Sequence, residues 1–68
     1  MTQTIAQVFD EWALDSFRTY SDERLNNLRN LFRNDRILAL LDNNEKAAEG
    51  LLIFQRLVEQ VQAERRNR

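Results

Sequence analysis

Asp10, Glu11 and Asp15 place three carboxylates within two turns of one segment, a grouping that binds a cation or works as an acid–base pair in other settings. Glu11 and Asp15 are one helical turn apart, so on a helix surface they share a face and repel slightly. Acid–base work needs a carboxyl perturbed by a pocket, with a second group opposite it. A helix surface on a chain of 68 residues provides little pocket. There is no His and no Cys, which removes the commonest general base, the commonest metal ligand, disulfides and thiolate zinc sites. We therefore expect a non-enzymatic protein with no cofactor and no metal. The carboxylates read as an acidic face that meets a basic partner, and the Arg-rich second helix of another copy would be one.

A second constellation lies further along. Asn26, Asn27, Arg29, Asn30, Arg33, Asn34 and Arg36 crowd one segment, with no acid between Arg24 and Asn34. Asn is a mediocre helix former, so helix propensity alone does not account for it. Asn pairs with adenine, Arg pairs with guanine or forks onto phosphate, and a helix showing both suits a major groove. Against that stand a net charge of −1 and a single lysine, Lys46, where nucleic-acid domains carry a basic excess. The plain alternative is a solvated face whose arginines pair with acids on neighbouring helices. Asn26, Arg29, Asn30, Arg33 and Arg36 are thus candidate partner-binding residues, with a protein partner ahead of DNA or RNA. The tail Arg65–Arg66–Asn67–Arg68 either anchors an anionic partner or simply suits a helix C-terminus, and is expected to fray.

The elements that must carry these residues are helical. No Pro and one Gly leave almost no turn or strand punctuation. Ile5, Val8, Phe9, Trp12, Ala13, Phe17 and Tyr20 form one face of a first helix starting near Thr4, with Leu14 stranded among polar residues. Ser21, followed by Asp22 and Glu23, caps a second helix that buries Leu25, Leu28, Leu31 and Phe32. Continued unbroken, that helix would put Asp35 in its apolar stripe and turn Ile37, Leu40 and Leu41 outward. An interruption near Asn34–Asp35 and a short helix over Arg36–Leu41 are therefore expected, with a kink short of full interruption as the alternative. Asp42 and Glu45 have capping-box spacing for a last helix reaching about Glu64.

That last helix carries Ala47, Leu51, Phe54, Val58 and Val61 at steps of four and three, widened by Ile53 and Leu57. So broad an arc needs more than one neighbour, and small chains often gain stability by association. Leu51, Phe54, Leu57, Val58 and Val61 are the candidates for dimer or helix packing, with Leu57 or Val58 near the centre of a homodimer. Gly50, at the edge of the arc, suggests a close helix approach. Leu52, off the main stripe, would join Ile53 and Leu57 in a contact patch.

The expectation is one all-α domain over residues 1–68, a small dimeric bundle of three long helices and one short one. The longest apolar run, Ile37–Leu41, is far too short to span a bilayer, and the N-terminal residues do not read as a secretory signal. The expected setting is cytoplasmic, without a membrane. The expected role is regulatory or adaptor binding to another protein. A nucleic-acid-binding regulator reading through the second helix and a structural subunit of a larger assembly are the alternatives.

Overall fold

The computed structural model describes residues 4–67, without the side chains of Ile5 and Ala6; the predicted place of Ile5 on the first apolar face and of Arg68 in the tail lie outside it. Three α-helices follow one another, α1 (Ile5–Phe17), α2 (Asp22–Leu41) and α3 (Glu45–Arg66), and there is no strand among the described residues. Each begins at a side-chain cap. Thr4 Oγ1 accepts the Gln7 N–H at 3.2 Å while Gln7 Oε1 accepts the Thr4 N–H at 2.9 Å, a reciprocal capping box. Ser21 Oγ accepts the Arg24 N–H, as its type and place predict.

The third cap differs from the expectation. Asp42 does not start α3; it is the C-cap of α2, and Asn44 Oδ1 caps α3 by accepting the Ala47 N–H at 3.2 Å. The turn between them is a Schellman motif. Asn43 takes the left-handed conformation (φ 59°), and the Asn43 and Asn44 N–H groups donate to Leu40 O and Ala39 O. Asn supports that conformation better than most non-glycine residues, so the helix end settles on Asn43 and moves the next start to Asn44.

The predicted break in the second helix is absent, so three helices replace three long and one short. α2 runs unbroken through Asn34 and Asp35 for 20 residues. Each of these residues costs well under about 1 kcal/mol in a helix. A break would instead strip up to four N–H and four C=O groups of their partners. Continuity has the consequence foreseen for it. Leu38 and Leu41 are 62% and 76% exposed, and Ile37 and Leu40 are also exposed.

Ala13, Phe17, Leu25, Leu57, Val58 and Val61 make the core, with Leu14, Tyr20, Leu28, Phe32 and Phe54 packed against it. α2 is the main neighbour of α3, and α1 is the second. The wide arc of α3 is therefore covered from two sides within one chain. Leu57 and Val58, 8% and 0% exposed, are core residues and do not sit at the centre of a surface. Leu51 and Phe54 are half-buried and Val61 is buried. Gly50 meets no close approach, since a Cβ built there finds nothing within 4 Å.

Candidate functional site: an exposed aromatic face

α1 is turned about its axis relative to the stripe read from its spacing. Leu14, expected among polar residues, packs on the core beside Ala13 and Phe17. The residues 13, 14 and 17 form a helical face of their own, and burying it rotates the other half of the stripe outward. Trp12 is left 64% exposed, with Val8 and Phe9 about half exposed next to it. The stranded Leu14 was the sequence signal of this turn.

The aromatic rings continue inward from that face. Phe9 lies 5.9 Å from Trp12 and 5.6 Å, edge-on, from Phe54, which stacks on Phe32 at 5.6 Å. These are favourable aromatic separations. One row of rings thus runs from solvent on α1, across α3, to α2. The rear of the row is fixed by packing, so Phe9 and Trp12 are presented on a firm base.

Charged groups anchor the opposite end of α1. Arg18 donates through Nε and Nη2 to Glu64 Oε1 and Oε2 at 3.1 and 3.0 Å, and through Nη1 to Asp15 Oδ1 at 2.9 Å. Its guanidinium is held above its ordinary pKa first by the hydrogen bond with Glu64, with a further contribution from Asp15. Arg65, expected to fray, is helical and pairs with Asp22; its Nη2 donates to the carbonyls of Arg18 at 3.0 Å and Tyr20 at 2.6 Å. Arg24 sits 4.0 Å over the Tyr20 ring, a cation–π contact. The α1–α2 turn is thereby fastened to the last turn of α3.

The other residues singled out by type are dispersed. Asp15 is engaged by Arg18, and Glu11 is exposed. No group of three or more His, Cys, Asp or Glu able to hold a metal occurs among the described residues. The Asn/Arg set of α2 divides. Arg29, which donates to Asn26 Oδ1 at 2.9 Å, lines an open groove with Asp22, Glu59 and Gln62. Arg36 lines another with Glu45, Glu49 and Leu52. Asn26, Asn30 and Arg33 stay exposed, in line with the exposed Ile37 at steps of four, three and four. No described helix is long and apolar enough to cross a membrane. No protein-family model, curated protein or solved structure matches the chain.

Proposed function

We propose that this chain is a small non-enzymatic regulator or adaptor that acts by binding another protein on the α1 face of Val8, Phe9 and Trp12. The observation that carries this reading is the exposure of Trp12 beside two other large apolar side chains on a helix backed by packed aromatics. Burying a large apolar side chain is worth about 1.5–3 kcal/mol, and exposed Trp beside Phe is the composition of an interface anchor. The complementary segment is an apolar helix stripe that lies along α1.

A photo-crosslinking residue at position 12, compared with one at the exposed Gln60 on α3, tests this in cells of the source. The expected result is a discrete protein adduct from position 12. Once purified, that protein should bind the unmodified chain and lose binding to Trp12→Asp. Equal adducts from both positions, or nucleic-acid adducts alone, would overturn the reading.

A further inference from the structure

The chain carries more surface than one copy needs. A compact monomer of 8.1 kDa exposes about 4,500 Å², whereas this chain exposes 5468 Å². It is also flattened, with extents of 38 × 35 × 16 Å and a radius of gyration of 13.1 Å, against about 11 Å for a compact chain of this length. The surplus of about 1,000 Å² is close to the share of about 800 Å² that each partner contributes to a standard interface.

One helix carries an exposed row suited to that share. On α2, Asn27, Leu31, Asn34, Leu38 and Leu41 follow at steps of four, three, four and three, the spacing of a coiled-coil seam. All five are exposed, on the far side of α2 from the packed Leu25, Leu28 and Phe32. The row is continuous only because α2 runs unbroken through Asn34 and Asp35. It carries no charge. Arg24 lies over the Tyr20 ring, and Arg29 and Arg36 line grooves with acids of α3. Arg33 stands on the neighbouring row with Asn26, Asn30 and Ile37, and Asp35 is half-buried on the other flank.

We infer that this row is a homodimer seam, covered by α2 of a second copy lying parallel and in register. The row offers a charged partner nothing to select, but it is complementary to itself. In the parallel register Leu31, Leu38 and Leu41 each meet the same residue of the other copy, and the Asn27 and Asn34 amides each meet an amide. An Asn amide has both donors and an acceptor, so two of them satisfy each other, and Asn within such a seam fixes register at a cost in stability. An antiparallel pair centred on Asn34 would set Leu38 and Leu41 against Asn30 and Asn27, leucine against amide. Packing on α3 has already ordered α2, so this short seam need not nucleate its own helix. The pairing also gives the exposed asparagines of α2 a role that helix propensity does not, and it uses no residue of α1.

Sedimentation velocity on the full chain tests the seam, with circular dichroism to verify helicity. The unmodified chain should show a monomer–dimer equilibrium that salt does not weaken, because no charge lies in the contact. Leu38→Asp, at an exposed position, should weaken the dimer by at least about tenfold with the helix content unchanged, since it buries a charge without a partner. Trp12→Asp and Ile53→Asp, at exposed apolar positions outside the row, should leave the dimer as it is. The chain has no Cys, so single cysteines report the orientation under mild oxidation. Asn34→Cys should cross-link to its own copy in either orientation. Asn27→Cys should do so only in the parallel one, since the antiparallel pair holds the two thiols about 21 Å apart. A monomer at every concentration, a dimer lost with Trp12→Asp but not with Leu38→Asp, or cross-linking at position 34 without position 27 would overturn the inference.

Discussion

Arg18 and Glu64, 46 positions apart in the chain, are joined by two hydrogen bonds from one guanidinium to both oxygens of one carboxylate. This fork-to-fork geometry is the most directional ion pairing available to side chains. It sets the C-terminal end of α1 against the last turn of α3. The Arg65 contacts lie beside it and tie the same end of the bundle together. The aromatic face lies at the other end of α1, where contact is made by side-chain packing.

The pair also governs how stability responds to pH. The Arg18 guanidinium titrates above its ordinary value, so its contribution is fully present below that ordinary value. It is lost only as pH rises through the still higher folded value. No loss attributable to Arg18 should therefore appear between neutrality and about pH 10. Urea midpoints for the unmodified chain and Arg18→Gln, measured at both ends of that range, should differ by the same amount. The difference should shrink in high salt, since both partners are substantially exposed. A difference that vanishes by the alkaline end would contradict the assignment.

Arg65 and Arg66 are adjacent in sequence and unequal in role. Arg65 satisfies the Arg18 and Tyr20 carbonyls and pairs with Asp22, whereas the Arg66 side chain is exposed. Arg65→Ala should lower stability by about 1–3 kcal/mol, while Arg66→Ala should stay within about 0.5 kcal/mol. Denaturant titration followed by far-UV circular dichroism measures both. Equal effects would mean that the tail only supplies charge to the helix end.

The contrast shows which parts of this molecule are legible in its residues. The Ser21 cap and the wide apolar face of α3 follow from local spacing, because they depend on contacts a few residues away. The rotation of α1 does not, since Ala13–Leu14–Phe17 and Val8–Phe9–Trp12 are both sound helical faces, and only packing against α3 chooses between them. The unbroken α2 was hidden for a related reason. A clean apolar stripe argued for a break, yet no residue between Asn34 and Ile37 is able to enforce one. Arg65 read as a frayed tail because its acceptors are backbone carbonyls far away in sequence. For the candidate site, the aromatic residues were visible by type, but their placement outside the core was not.

Asn44 and Asp42 test the turn between α2 and α3. Asn44 Oδ1 accepts the Ala47 N–H, so Asn44→Ala should cost about 0.5–2 kcal/mol and Asn44→Asp little. Asp42 contributes no described side-chain cap, and Asp42→Ala should fall within about 0.5 kcal/mol. Thermal or urea unfolding of the three variants decides between the two helix starts. A larger loss at position 42 than at 44 would move the cap back to Asp42.

Gly50 lies on the same stripe of α3 as Phe54, Leu57 and Val61, at steps of four, three and four. The last two of these are buried, and Phe54 is packed by the Phe9 and Phe32 rings. At Gly50 the stripe has run past its cover, because a Cβ there would meet nothing within 4 Å. The glycine also lies inside the helix without a positive φ, so its conformational freedom serves no turn. Replacing it should reduce the entropy lost on folding and leave every contact in place. Gly50→Ala should therefore raise stability by about 0.5–1 kcal/mol, read as a higher urea midpoint at unchanged slope. A lower midpoint would show that another surface presses against α3 at this level. In that case the close approach first suggested by the glycine would be real, made by something outside the three helices.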